Sequence, residues 1–319
     1  RVSSYRDGLE SPLSQPNVGS TCLPATSSIA GVVASSGGAA LGGVDVHVFS
    51  DPTTIVRSGR SEADGTFAIH GLSAGTYRVL FRGERIQYGN RWFNATGSYT
   101  NARRVSVLDD TMSPGIDSTL TARNDWNGDD EPDIFWQNTA TGETRIWWMK
   151  GRVRLQEVSL EPMGGKGWEA AAVADFDGDG NQDIFWRNYL TGRNTIWFTD
   201  GTAVIAKTKV KTVGDTSWRV AAAGDVNGDG MTDLLWRNST TSRSVFSLLE
   251  GEKLLRLRPA PQLTDLSWEA GTMTDFNNDG HVDIFWRNMA TGENMLWIMN
   301  ENERLSTFSL QRVAVLSWE

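Results

Sequence analysis

Four acidic loops recur in this chain at a constant spacing of fifty residues, opening at Asp125, Asp175, Asp225 and Asp275. A fixed period of that size marks a repeat architecture in which each unit buries its apolar faces against its neighbours. Within each loop, oxygen-bearing side chains stand at positions one, three, five and nine. They are Asp125, Asn127, Asp129 and Asp133; Asp175, Asp177, Asp179 and Asp183; Asp225, Asn227, Asp229 and Asp233; Asp275, Asn277, Asp279 and Asp283. Position seven, occupied by Glu131, Asn181, Met231 and His281, adds a backbone carbonyl.

This spacing suits Ca²⁺, which takes about six to eight hard oxygen ligands at flexible angles. Position six must turn sharply, and Gly180, Gly230 and Gly280 tolerate positive φ there, whereas the first loop has Asp130. An EF-hand would carry a bidentate Glu at position twelve, but Trp136, Trp186, Trp236 and Trp286 stand there. The Asp-Gly and Asn-Gly pairs also mark hairpin turns. An ordinary turn, however, has no need of four oxygen positions in every copy. In an empty loop, carboxylates about 4 Å apart repel by roughly 1–4 kcal/mol per pair, a cost that a cation removes. About four Ca²⁺ ions per chain are therefore expected.

Each loop runs into a short apolar and aromatic segment, such as Asp183-Ile184-Phe185-Trp186-Arg187-Asn188, of strand character. The second unit reads as four strands, over residues 168–174, 183–188, 194–199 and 203–213, and the same pattern is expected in every unit. The first strand is built from small residues such as Ala170, Ala171 and Ala172, which suit a crowded innermost position. Trp186 and Trp197, with Trp136, Trp147, Trp286 and Trp297, are expected to fill the widening space between sheets. In the third unit Ser247 replaces the second Trp, and Ser118 stands in the first unit where Trp168 stands in the second. Arg187, Arg237 and Arg287 are candidates for surface or inter-unit pairing, with Gln137 breaking the series.

The motif D-x-[DN]-x-D-G-x-x-D followed by a strand resembles the FG-GAP/VCBS repeats of integrin-like β-propellers over about residues 121–319. The resemblance implies a calcium-binding propeller whose ligands are the four sets above. Ser317-Trp318-Glu319 repeats Ser267-Trp268-Glu269, so an incomplete ring is expected. Rows of Trp can also stack on sugars, but blade core is the simpler reading.

Residues 29–120 read differently, as short alternating strands punctuated by turns: Val44, Val46 and Val48 face one way, Asp45 and His47 the other. This argues for a β-sandwich. The run Asp64-Gly65-Thr66-Phe67 with Gly71-Leu72-Ser73-Ala74-Gly75-Thr76-Tyr77 resembles the carboxypeptidase regulatory-like family, a transthyretin-like sandwich without catalysis. Its strands are complete between Ile29 and Leu120, so folding independent of calcium is expected. Gly71 to Gly75 also match the G-x-S-x-G nucleophile elbow. That turn needs a following helix and a later His, whereas a strand follows here and the only later His is His281. His47 and His70 read as strand surface residues. Asn94-Ala95-Thr96 and Asn238-Ser239-Thr240 match the glycosylation acceptor, a pattern frequent by chance.

Residues 1–28 read as a linker. Arg1-Val2-Ser3-Ser4-Tyr5-Arg6-Asp7 resembles the closing strand of a trypsin-like serine protease domain, with Gly8 where that family has Trp. Cys22 is the only cysteine; pairing outside this sequence and a free thiol both remain open.

The net charge of −9 over 319 residues lies largely in the acidic loops, and no basic stripe points to nucleic acid. No apolar run is long enough to span a membrane as a helix. The expectation is an all-β, secreted or cell-surface, non-catalytic module. A β-sandwich carries a calcium-binding propeller for an extracellular glycan or protein ligand. The alternatives are a substrate-targeting appendage of a trypsin-like protease and a purely structural, calcium-stiffened segment.

Overall fold

A computed structural model describes residues 27–94 and 98–313. The protease-like segment, Cys22, the acceptor at Asn94-Ala95-Thr96 beyond its first residue, and Ser317-Trp318-Glu319 lie outside the described residues.

Alternation of apolar and polar residues builds two sheets from residues 27–120. The strands are β1 (Ser27–Ser35), β2 (Asp45–Asp51), β3 (Thr54–Arg60), β4 (Thr66–Leu72), β5 (Gly75–Arg82), β6 (Asn90–Trp92), β7 (Val105–Val107), β8 (Met112–Ser113) and β9 (Ser118–Leu120). One sheet runs β4-β1-β8 with β9 also on β1; the other runs β3-β2-β5-β6 with β7 also on β5. Ile29, Val33, Val46, Val48, Phe67 and Phe81 are among the side chains that close a common core between them. Leu80, Trp92 and Phe49 form a second cluster, on the side of β5 and β6 that meets the repeats. The G-x-S-x-G run lies at a strand-to-strand turn from β4 to β5, with the Tyr77 hydroxyl donating to the Ser73 carbonyl (2.9 Å).

The repeats form four antiparallel sheets in succession. The first holds β10 (Ile134–Gln137), β11 (Thr144–Lys150) and β12 (Val153–Leu160). The second holds β13 (Trp168–Ala174), β14 (Asp183–Asn188), β15 (Asn194–Thr199) and β16 (Val204–Val210). The third holds β17 (Trp218–Gly224), β18 (Asp233–Asn238), β19 (Ser244–Glu250) and β20 (Lys253–Pro259). The fourth holds β21 (Trp268–Thr274), β22 (Asp283–Asn288), β23 (Asn294–Asn300) and β24 (Glu303–Leu310). The small-residue strands β13, β17 and β21 approach one another, which their short side chains permit.

The first unit departs from the four-strand expectation. Residues 118–120, where its small-residue strand would fall, run parallel to β1 and pair Val33 with Ser118 and Ser35 with Leu120. Leu120 is buried in the sandwich core, so its burial is already satisfied there and β10 is left as an edge.

Sheet stacks on sheet through apolar side chains. Trp186 of the second unit packs with Phe135 and Ile146 of the first, Trp236 with Phe185 and Ile196 of the second, and Trp286 with Leu235 and Phe246 of the third. Arg187 adds a polar clamp. Its Nε donates to the carbonyl of Trp218 on the next unit (2.9 Å), and its Nη2 donates to those of Val213 and Asp215. Arg237 repeats this on Leu263 and Asp265. Gln137, shorter and neutral, holds the Trp168 carbonyl and the Ala170 N–H instead.

Candidate metal centres

Each acidic loop is tied by its own side chains before any ion is considered. At position one, Asp175 accepts the N–H groups of Gly178 (2.6 Å) and Gly180 (2.9 Å). Asp125 and Asp225 do the same within their loops, and Asp275 accepts from Asp279 and Gly280. At position nine, Asp183 bridges the loop start to the third strand of its sheet by accepting from Phe176 (2.9 Å) and Thr199 (3.0 Å). Asp133, Asp233 and Asp283 make the equivalent bridges to residues 149, 249 and 299. At position five, Asp129, Asp179, Asp229 and Asp279 accept the N–H of position seven: Glu131, Asn181, Met231 and His281.

Position six adopts positive φ in all four loops: Asp130 at 69°, Gly180 at 93°, Gly230 at 87° and Gly280 at 91°. Asp130 is there for a contact glycine cannot make. Its carboxylate accepts from Ser35 Oγ (2.6 Å) and Ser36 Oγ of the sandwich, which offsets the strain of a non-glycine residue in this region.

In the second loop, carboxylate oxygens of Asp175, Asp177 and Asp183 lie within 4.8 Å of one another. Asp183 is fully buried and the other two partly so. Removal from water, reinforced by the neighbouring carboxylates, pushes Asp175 up to about 7, Asp177 to about 6 and Asp183 to about 9. Three carboxyl groups converge here, each resisting ionisation beside the others, and a hard divalent ion matches that donor set. In the other loops position three is Asn127, Asn227 or Asn277, whose Nδ2 donates to the position-five carboxylate at 3.2, 2.9 and 2.8 Å. The second loop turns Asn181 to that role (2.9 Å), which frees Asp177 to join the cluster. Burial likewise raises Asp125, Asp133, Asp233 and Asp283.

The third loop is engaged by the sandwich, a contact that no local motif announces. Asn90 Nδ2 donates to Asp225 Oδ2 (3.0 Å), and Trp92 Nε1 donates to the Asp229 carbonyl (2.8 Å). Arg82 pairs with Glu84 (2.9 Å) and stands 4.0 Å from Asp225 Oδ2. Burial raises Asp225 to about 6 while the Arg82 charge pulls it down. A Cβ on Gly230 would lie 2.8 Å from Leu80 Cδ1, so this glycine also permits the close approach of the two domains. A cavity of about 460 Å³ remains between the sandwich and the ends of β13, β17 and β21, lined by Glu84, Arg91, Asp175, Gln182 and Asp225 among others.

Family comparisons agree with this architecture. The model for the FG-GAP-like repeat matches residues 125–186 and 175–236, and that for the carboxypeptidase regulatory-like domain matches residues 28–113. The chain joins a carboxypeptidase regulatory-like domain to FG-GAP-like repeats. No curated protein matches it. Similar solved structures include a nidogen/laminin complex, 13% identical over 83% of this chain and 93% of that one, with a TM-score of 0.38. A protein of unknown function from Bacteroides caccae is 11% identical over 83% and 73%, with a TM-score of 0.35. Hsv2 of Kluyveromyces lactis is 13% identical over 74% and 61%, with a TM-score of 0.30.

Two expectations about side chains are corrected by the FG-GAP-like units and the domain before them. Trp136 is 46% exposed while Trp186 and Trp286 are fully buried, because among the described residues no further repeat sheet packs on that face of the first unit. His47 is no simple surface residue: its Nδ1 is buried without a partner, and desolvation with the nearby Arg82 lowers its pKa to about 4.

Proposed function

We propose that this chain is a non-catalytic, secreted or cell-surface module whose FG-GAP-like units form an open propeller stabilised by Ca²⁺. In this reading the module presents a rigid surface to an extracellular glycan or protein. The observation that carries the reading is the convergence of Asp175, Asp177 and Asp183. Asp175, Asp177, Asp179 and Asp183 would hold the ion of the second loop with the Asn181 carbonyl, and the equivalent residues would serve the other three. The ion supplies positive charge that lets buried carboxylates ionise together; it takes no part in a reaction. Extracellular calcium modules bind at about 10⁻⁴–10⁻³ M, so the reading calls for millimolar calcium. Titration calorimetry of the apo chain with CaCl₂ tests this. Binding of about four ions supports the proposal, and no detectable heat at several millimolar calcium overturns it.

A further inference from the structure

The sandwich sits on the loop ends of the repeat sheets. Ser35 and Ser36 hold Asp130 of the first loop, and Asn90 holds Asp225 of the third. A Cβ on Gly180 of the second would lie 3.0 Å from Thr121 Oγ1 and 3.1 Å from Arg91 Nη1. The cavity of about 460 Å³ is the space this docking leaves between the sandwich and the second and third loops. Small-molecule sites span about 300–1,000 Å³, so the size suits a compact guest.

One buried side chain on its wall has no partner. Gln182, at position eight of the second loop, is 7% exposed, and its amide makes no hydrogen bond among the described residues. The loop itself does not require an amide. The other loops carry Pro132, Thr232 and Val282 there, and Thr232 uses its hydroxyl on the Asp175 carbonyl (2.7 Å). An unpaired amide in a buried residue is costly, so whatever fills the cavity has to offer it both an acceptor and a donor.

The sandwich wall holds donors in surplus. Arg91 Nη1 reaches only the Thr119 carbonyl, at 3.5 Å, and Arg123 stands 3.7 Å from Glu84, too far for a hydrogen bond. Acceptors stand beside them: Glu84 and Asp225 share the Asn90 amide (3.1 and 3.0 Å) and keep further lone pairs. Val173, Ala174 and Ala223 add a small apolar wall.

This mixture selects the class of guest. An anion would meet the carboxylates of Glu84, Asp175 and Asp225, and a cation would meet the guanidinium groups of Arg91 and Arg123. A hydroxyl both donates and accepts. A carbon ring bearing several hydroxyls therefore answers guanidinium, carboxylate and amide together, and its C–H face suits the alanines. We infer that the cavity binds one neutral polyhydroxylated ring, a monosaccharide or the terminal residue of a glycan, recognised by Gln182 and Arg91. This deepens the glycan side of the proposed function and rests on that reading for the source of the sugar.

Saturation-transfer difference NMR on the full chain in millimolar calcium tests it. The neutral probes are D-glucose, D-galactose, D-mannose and myo-inositol; the charged ones are D-glucuronate and D-glucosamine. At least one neutral probe is expected to bind, at roughly millimolar Kd because each contact replaces an ordered water, and more tightly than either charged probe. Gln182→Met and Arg91→Gln should each weaken it at least about tenfold. Should Gln182→Met fail to fold by circular dichroism, Gln182→Thr, matching Thr232, takes its place. The inference is overturned if no neutral probe binds, if a charged probe binds more tightly than every neutral one, or if either variant binds like wild type. Calorimetry scores calcium separately, so a chain that takes calcium but no sugar loses this inference alone, and one that takes sugar but no calcium keeps it.

Discussion

Asn90 of the sandwich donates from Nδ2 to Oδ2 of Asp225, 3.0 Å away, in the third acidic loop. The same oxygen accepts the Gly230 N–H and faces Arg82 at 4.0 Å. The first residue of a metal-type loop is thus also the seat of the domain interface, and Arg82 supplies part of the positive charge an ion would bring.

Arg82 and Glu84 are both buried, so removing the guanidinium strands a carboxylate with Arg123 at 3.7 Å and the Asn90 Nδ2 donor at 3.1 Å for compensation. Burial already raises the Glu84 pKa despite Arg82. Arg82→Ala is expected to cost about 3–5 kcal/mol in urea unfolding. The double replacement Arg82→Met with Glu84→Gln should cost clearly less, because the Glu84 charge leaves with its partner and Asp225, 4.0 Å from Arg82, keeps its Gly228, Gly230 and Asn90 donors. Equal losses in the two variants would show that packing of the Arg82 stem dominates.

Asp177 and Asp183 separate metal binding from loop architecture. Asp183 accepts two backbone N–H groups, so Asp183→Ala should destabilise even the chelated chain by about 1–3 kcal/mol for each orphaned donor. Asp177 accepts one, the Asp179 N–H (3.1 Å), and lies among like charges. Asp177→Asn is therefore expected to leave the chelated chain as stable as wild type or more so, while weakening calcium at the second loop. Thermal melts with EDTA and with calcium check both. A Asp177→Asn protein that melts well below wild type in EDTA would contradict this division of labour.

The repeat period, the loops and the hairpins were legible because each is local: four oxygens within nine residues, and a Gly or Asn where the chain must turn. In three of the units the strand after the loop likewise begins at the Asp that closes it, at Asp183, Asp233 and Asp283, and in the first unit it begins one residue later at Ile134. What escaped was non-local. Nothing in Asn90, Trp92 or Arg82 marks them as partners of residues 135 or more positions away, and their alternation fits a sandwich strand equally well. Asp130 looked like an imperfect glycine until Ser35 and Ser36 supplied its reason. Ser118 to Leu120 carry a pattern that serves either sheet, and pairing with β1 won because Leu120 finds a complete core there. The clamp formed by Arg187 was legible only as one alternative among others, since an Arg after an aromatic suits a surface as well as a seam.

That clamp yields a stability test. Arg187 is fully buried, and its guanidinium serves carbonyls from two units and lies 4.9 Å from the centre of the Trp236 ring. A lysine cannot reach these acceptors in a fork. Arg187→Lys is expected to lose at least about 2 kcal/mol, and Arg187→Ala more, since hydrogen bonds to a charged donor contribute about 1.5–3 kcal/mol each. Gln137, which makes two such bonds without a charge, should cost about 1–2 kcal/mol when replaced by Ala. The order of the losses in urea, Arg187→Ala above Gln137→Ala, is the outcome to check.

The last test concerns pH, and its sign differs with and without metal. Asp175 and Asp183 have folded-state values of about 7 and 9, above the 3.8 of an ordinary aspartate. Between those limits the folded chain binds more protons than the unfolded one, so stability is present at low pH and is lost as pH rises through the folded values. His47 acts oppositely. Its folded value of about 4 lies below 6.5, so it withdraws stability as pH falls below 6.5 and is silent above. In EDTA, from about pH 6.5 to 8.5, unfolding free energy should therefore fall with pH by up to roughly 1.4 kcal/mol per unit for each proton released. Millimolar calcium should reverse the trend by replacing those protons, giving a calcium-dependent rise in melting temperature that is large at pH 8.5 and small at pH 6.5. Asp183→Asn should flatten the EDTA slope by about one proton. A stability in EDTA that climbs with pH across this window would show that the acidic cluster is already ionised without metal, and that something other than a cation holds it together.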